Sequence, residues 1–470
     1  MIKFGTGGWR ALIGSEFTES NVKLVTEGIY KFAVEQHKID KPIAIGYDNR
    51  FLSKEAAEWV AEVLAAHGIV VWLMNQSVPT PLIMHMVLKH ELYFGIEITA
   101  SHNPYIYNGI KLFVQEGRDA PIEVTQRLES LINKIDNSMI TSMPMEKALA
   151  RELIHFINCP LAEFIDHIIG IINVEAIKNS GLKIAFDPMY GSGYYPLNII
   201  LNTSQCLVDS IHNQQDAHFG HIAPAPAENT LHQLQSMVID GKYDIGLALD
   251  GDGDRLGIIS SSGKYISANQ ILAMLYWYLH EFKGWKGPVI KNLATTNMLN
   301  VIAESFGEKC YEVPVGFKHI SHAIDAFDAV LGGESSGGLT VRGHIHGKDS
   351  IYAASLFVEM IAVTGMSIDE IVDKMTNTYG SFYMVEENLH LSSSEFERVN
   401  KLLNEDPPMF IIPNADSWTY TDGYKEACEN ESWIICRPSG TEPVLRIFAE
   451  AKTEELAKQY IQQMKKLLHI

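Results

Sequence analysis

No run of 18 or more uninterrupted apolar residues occurs in the 470-residue chain, so no membrane span is expected. The opening Met1-Ile2-Lys3-Phe4-Gly5 lacks a basic stretch followed by an apolar one, so no secretory signal is expected. Cysteine is scarce. Cys159, Cys206, Cys310, Cys428 and Cys436 are scattered, odd in number and form no C-x-x-C pair. That argues against a disulfide framework or a structural zinc, and fits a reduced cytoplasm. Positive charge is also short: 37 Lys and Arg stand against 57 Asp and Glu, a net charge of −20. Such a surface repels nucleic acid and anionic membrane, and no basic run offsets it. An anionic substrate would need a local cluster of Arg and Lys. What remains is ordinary globular composition, 46% apolar and 20% charged, in a chain long enough for about three or four domains.

Strand-like and helix-like stretches alternate through most of the chain, which predicts α/β units with a mainly parallel sheet. Helical periodicity covers about 22–36, 53–67, 269–282, 351–363 and 453–468; apolar strand-like runs cover 42–46, 70–74, 92–98, 243–249 and 444–450. The polar stretch 122–158 reads as helical and closes the first unit. A strand ending in a polar loop recurs at Pro42–Asp48, Lys183–Pro188 and Pro288–Lys291, a weak repeat at domain scale. Residues 218–229 form a Pro/Ala-rich connection whose histidines lack metal-ligand spacing.

Four loops carry chemistry. Thr99-Ala100-Ser101-His102-Asn103-Pro104 follows a buried strand and presents a serine beside a histidine on a tight turn, a candidate nucleophile. Asp250, Asp252 and Asp254 alternate with glycines after another strand. Three carboxylates so close repel one another, and all-oxygen ligation suits Mg²⁺, Ca²⁺ or Mn²⁺. An EF-hand is excluded: Arg255 replaces its glycine, Ser261 its glutamate, and the flanks read as strands. Three protein carboxylates leave positions open, which suits Mg²⁺ completed by a phosphate oxygen. Arg437-Pro438-Ser439-Gly440-Thr441 offers a forked cation, hydroxyls and a close-approach glycine for a phosphate dianion. Gly333-Glu334-Ser335-Ser336-Gly337 offers an acceptor and a hydroxyl for adjacent sugar hydroxyls. Together they point to phosphoryl transfer on a phosphorylated polyol.

These stretches resemble the α-D-phosphohexomutase family of phosphoglucomutases, phosphomannomutases and phosphoglucosamine mutases. TASHNP at 99–104, DGDGDR at 250–255, GGESSG at 332–337 and RPSGTEP at 437–443 occur in the family's order, and FGTGGWR at 4–10 matches as well. The resemblance implies three tandem related α/β/α domains with mixed sheets, and a C-terminal α+β domain like the TATA-box-binding protein, around a central cleft. The boundaries expected are 1–160, 161–262, 263–375 and 376–470. It implies that Ser101 is carried as phosphoserine and holds Mg²⁺ together with Asp250, Asp252 and Asp254. Lys111 in the YNGIK stretch and His102 are implied in acid/base chemistry, and Arg10 and Arg255 in stabilising the transferring phosphoryl group. Glu334 and Ser336 would read the sugar, with Gly316 and Lys318 beside them. Arg437, Ser439, Gly440, Thr441 and Arg446 would hold the other phosphate. Hexose 1,6-bisphosphate is implied as intermediate and activator. The protein is expected in the cytoplasm, as monomer or homodimer, with a hexose phosphate as its small-molecule partner.

Some family members carry a histidine directly after the S-G of the sugar loop; here Gly338 stands there. The substitute is either His344 or Lys348, because GHIHGKDS resembles the segment bearing a catalytic lysine in other phosphoglucomutases. That segment usually reads K-D-G, and Ser350 replaces the glycine here. The sugar loop lacks the G-E-Q-S-G form associated with phosphoglucosamine mutases. Glucose phosphate is therefore the favoured substrate and mannose phosphate the second, with phosphoglucosamine mutase or a non-catalytic phosphosugar-binding relative as alternatives.

Overall fold

The computed structural model describes all residues except 1, 6, 7, 406–411, 413, 414 and 440–442. The chain forms two compact units: residues 1–268 with 336–369, and residues 269–335 with 370–470.

The first unit holds two mixed sheets. In the first, strands Ile43–Tyr47, Val71–Met74 and Phe94–Ile98 run parallel, with Ile154–Ile157 added in parallel at one edge. The other edge is antiparallel: Tyr107–Val114 pairs with Phe94–Ile98, and Trp9–Leu12 pairs in turn with Tyr107–Val114. The central strands are buried at every position, as apolar runs between helix layers must be. Helices Glu19–Glu35, Ser53–Ala66 and Thr80–Lys89 follow strands or loops of this sheet. Thr18 caps the first of them by accepting from Asn21 N–H. Gly109 allows the edge strands to meet: a Cβ there would lie 2.2 Å from the Trp9 carbonyl oxygen.

The second sheet runs Tyr265–Ile266, Leu256–Ser260, Ile245–Leu249, Lys183–Asp187, Leu207–Ser210. Its last three strands are parallel and the first two antiparallel. Helix Ser350–Thr364 packs on this unit against Val174–Ser180 and Tyr194–Thr203. It is buried on nearly every side, which accounts for its almost wholly apolar sequence. Asp349 caps it by accepting from Ile351 and Tyr352 N–H, and it ends at Gly365 with φ +66°.

The second unit contains the parallel strands Cys310–Val313, Val289–Asn292 and Leu331–Gly333. It also holds an all-antiparallel sheet in the order Tyr383–His390, Val444–Ala451, Trp433–Pro438, Tyr424–Ala427, Ser417–Tyr420. Helices Ser393–Glu405 and Glu454–Leu468 contribute buried residues to the apolar core built on that sheet. The fold class is thus α/β with a C-terminal α+β part. One sequence expectation fails locally. The stretch 122–158 is not helical throughout: helix Ile122–Ile132 and the short helix Met145–Ala150 lead into strand Ile154–Ile157. No described helix is long and apolar enough to cross a membrane by itself.

Candidate active site

Strand Phe94–Ile98 delivers Ser101 to a buried position on a loop closed by Thr99 N–H to the Gly109 carbonyl, 3.0 Å. Ser101 has φ +52°, the left-handed region that non-glycine residues seldom occupy. Its hydroxyl donates to Asp250 Oδ2 at 2.9 Å and lies 3.3 Å from His102 Nδ1.

Strand Ile245–Leu249 delivers the three aspartates, all buried, with carboxylate oxygens within 4.8 Å of one another. Asp250 Oδ1 accepts from the N–H groups of Asp254 and Arg255, so it shapes its own loop. Asp252 Oδ2 accepts from Thr80 Oγ1 at 2.7 Å and Lys111 Nζ at 2.6 Å. Asp254 Oδ2 lies 2.9 Å from both Lys111 Nζ and Lys348 Nζ. The loop is tied on three sides: Thr80 N–H to the Asp252 carbonyl, Ser192 N–H to the Gly251 carbonyl, and Ser350 Oγ to the Gly253 carbonyl at 2.6 Å.

The electrostatics follow. Burial, with repulsion from Asp252 and Asp254, pushes the Asp250 carboxyl well above its usual range. Burial also opposes ionisation of Asp254, but Lys111, Lys348 and Arg255 outweigh it and hold that carboxyl well below its usual range. Lys111 is buried too, yet Asp252 and Asp254 raise its pKa and keep it charged. Burial, then the Arg255 and Arg10 cations, lower His102, so its imidazole is neutral. Arg10, on the edge strand, donates to Asn103 Oδ1 at 2.6 Å.

Among the described residues, the buried oxygens Asp252 Oδ1 and Asp254 Oδ1 have no hydrogen-bond partner. Two orphaned carboxylate oxygens beside Asp250, in an all-oxygen donor set, fit a hard divalent cation.

Ser101, His102, Lys111, Arg10, Arg255, Lys348 and the three aspartates thus gather in the first unit. His344 does not join them. Its Nε2 is bound to Asp349 Oδ2 at 2.6 Å and its Nδ1 to His167 Nε2 at 3.1 Å, so neither nitrogen is offered to the carboxylates. Gly338 explains how Lys348 arrives: a Cβ on that residue would lie 2.2 Å from Lys348 Cδ. Thr80 and Ser350 were not legible as site residues, since a lone hydroxyl after a proline or at a helix start carries no pattern.

In the second unit, Glu334 Oε1 accepts from Asn292 Nδ2 at 3.0 Å and from Gly316 N–H at 3.1 Å. Gly316 has φ +123°, reserved for glycine. Lys318 lies in the first turn of helix Phe317–Ala326. Arg437 and Arg446 face each other across adjacent antiparallel strands and share one face of the sheet. Arg437 Nε donates to Asp422 Oδ2 at 2.9 Å, and the Ser439 amide closes its loop on the Val444 carbonyl at 2.8 Å. Gly440 and Thr441 lie outside the described residues, and Ser336 belongs to the first unit.

Comparison with known proteins agrees with this chemistry. Four phosphoglucomutase/phosphomannomutase family models match in chain order: alpha/beta/alpha domain I over residues 1–139, domain II over 162–263, domain III over 267–379 and the C-terminal domain over 394–467. The chain belongs to the α-D-phosphohexomutase family and is an enzyme of that class. Among similar curated proteins is a phosphoglucomutase/phosphomannomutase of Thermococcus kodakarensis, 27% identical over 99% of this chain and 98% of its own. Another is the phosphoglucosamine/phosphogalactosamine mutase of Sulfurisphaera tokodaii, also 27% identical, over 99% and 98%. Among solved structures, a proposed phosphomannomutase of Thermus thermophilus superposes with TM-score 0.85 at 25% identity, covering 100% of this chain and 99% of that one.

Proposed function

We propose that this enzyme is a phosphoglucomutase that interconverts glucose 1-phosphate and glucose 6-phosphate, with mannose phosphate as a second substrate. The observation that carries the reading is the Ser101 hydroxyl 2.9 Å from Asp250, beside a buried carboxylate cluster in which two oxygens accept no hydrogen bond among the described residues. Ser101 carries the phosphoryl group and passes it to the free hydroxyl of the hexose monophosphate. Mg²⁺, held by Asp250, Asp252, Asp254 and a phosphoserine oxygen, supplies positive charge against the phosphoryl oxygens when bound. Arg10 and Arg255 balance the remaining charge. The neutral His102 and the ammonium groups of Lys111 and Lys348 hold and move protons at the reacting oxygens. The hexose 1,6-bisphosphate formed turns around and returns its other phosphate to Ser101. Glu334 and Ser336 read the sugar hydroxyls, and Arg437, Ser439, Gly440, Thr441 and Arg446 grip whichever phosphate is not transferring. The sugar loop GGESSG supports glucose over glucosamine.

Turnover on glucose, mannose, glucosamine and ribose 1-phosphates, with Mg²⁺ and catalytic bisphosphate, tests the assignment. The expected order is glucose, then mannose, with the others at least tenfold lower. Preference for glucosamine 1-phosphate would move the enzyme to the phosphoglucosamine mutases. Ser101→Ala should abolish turnover while the protein stays folded, and full activity in that variant would refute the serine's role.

A further inference from the structure

The polar end of strand Ile43–Tyr47 holds two buried charges that the mechanism above does not use. Asp48 is 2% and Arg50 3% exposed. The guanidinium of Arg50 spends all five N–H donors inside the protein. Nε donates to Asp48 Oδ2 at 3.1 Å. Nη1 donates to the carbonyls of Pro104 and Tyr107 at 2.9 and 3.0 Å. Nη2 donates to those of Ser101 and Asn103 at 2.5 and 2.7 Å. Four of five donors therefore land on one segment, 101–107, and the ring of Phe219 lies 4.9 Å from the guanidinium carbon.

Asp48 works from the other side. Its Oδ2 also accepts from Thr99 Oγ1 at 2.7 Å, and Thr99 Oγ1 accepts from the Ser101 amide at 2.8 Å. Its Oδ1 is occupied by Ser53 Oγ and the Arg50 amide. The carbonyl of Ser101 is thus held by Arg50 and its amide, through Thr99, by Asp48. The residue so pinned is the one at φ +52°, a conformation that persists only where its surroundings over-determine it.

We propose that the Asp48–Arg50 pair positions the phosphoryl-carrying serine. It fixes the left-handed backbone of Ser101 so that Oγ meets the carboxylate cluster, and it seats a permanent cation directly beneath the loop that takes up phosphate. A point-charge ammonium could not replace it, because four separated carbonyls need a planar fork. This role rests on reading Ser101 as the phosphoryl carrier, so the two are tested separately.

Arg50→Lys keeps the charge and removes the fork; Thr99→Val is nearly isosteric and cuts only the amide arm. Both are compared with the full-length parent. Phosphate uptake on Ser101 of the parent from glucose 1,6-bisphosphate and Mg²⁺, read by peptide mass, judges the mutase reading by itself. Amide hydrogen exchange over residues 99–107 judges the clamp without reference to activity. Exchange should rise at least tenfold there in both variants and stay unchanged across helix Glu454–Leu468. Turnover should fall at least 30-fold in Arg50→Lys and tenfold in Thr99→Val, with KM for glucose 1-phosphate within threefold. Unchanged exchange at 99–107, or a folded variant turning over within twofold of the parent, or a loss lying in KM alone, overturns the proposal. Should Arg50→Lys fail to fold, Thr99→Val decides by the same criteria.

Discussion

Gly338 and Lys348 are a reciprocal pair. Added bulk at 338 would run into the Lys348 stem, 2.2 Å from Cδ and 2.7 Å from Cγ. That stem is flexible, so Gly338→Ala should displace the lysine rather than unfold the protein. We expect turnover to drop at least tenfold while the melting temperature stays within about 1 °C of the parent, a shift worth about 1 kcal/mol in a chain this size. A fully active Gly338→Ala enzyme would mean that Lys348 is not needed at Asp254. Single residues such as these were only half legible in sequence. Ser101, the aspartates and Arg437 sit in patterned loops that announce close backbone approach and charge. Thr80 sits in none. It reaches Asp252 from a helix start 172 residues away, a contact only the folded chain defines. Arg50 stood at a recognised strand end, yet its four loop carbonyls are spread over residues 101–107, and backbone acceptors leave no trace in side-chain identity.

Helix Thr80–Lys89 carries a titrating group on its buried face. His85 packs against Phe164 and His167, with ring centroids 5.6 and 5.1 Å away. Burial, then the neighbouring His167 and His344, lower its pKa from 6.5 to about 3. The folded protein therefore holds His85 neutral where the unfolded chain would protonate it. Its contribution to stability is complete above pH 6.5 and is lost as pH falls from 6.5 towards 3, at about 1.4 kcal/mol per pH unit. His85→Phe should flatten the fall of the unfolding midpoint between pH 7 and pH 5; an unchanged slope would place that acid sensitivity elsewhere. Central strands were legible because burial on both faces leaves runs without a charged or strongly polar residue, as in Ile43–Tyr47 and Ile245–Leu249. Strand Ile154–Ile157 was not. Its two middle residues are exposed at the sheet edge, so nothing in its four residues marks a strand until Val71–Met74 pairs with it.

At the scale of the molecule, the second unit wires together the loops proposed to read sugar and phosphate. Asp422 Oδ2 accepts from both Arg437 Nε and the Val315 amide, and the next amide, Gly316, donates to Glu334. Asp422→Ala cuts this chain in the middle. We expect KM for glucose 1-phosphate to rise about tenfold with turnover within threefold, and Asp422→Asn, which keeps an acceptor oxygen, to lie between; a change confined to turnover would contradict the linkage. The α/β class was legible from alternation, and the C-terminal α+β part from the resemblance of the loop motifs to the family. The division into two units was not, because residues 336–369 return to the first after the chain has entered the second, and such a return is decided by packing. The edge strand Trp9–Leu12 has a further consequence in time. Its partner, Tyr107–Val114, lies about a hundred residues downstream, so at ribosomal speed the strand waits on the order of 5–20 s before it can dock. The aspartates emerge later still. Synthesis therefore completes the Ser101 loop and its Arg10 neighbour before Asp250, Asp252, Asp254 and Lys348 exist, so the early nascent chain lacks the carboxylates proposed to act with the serine.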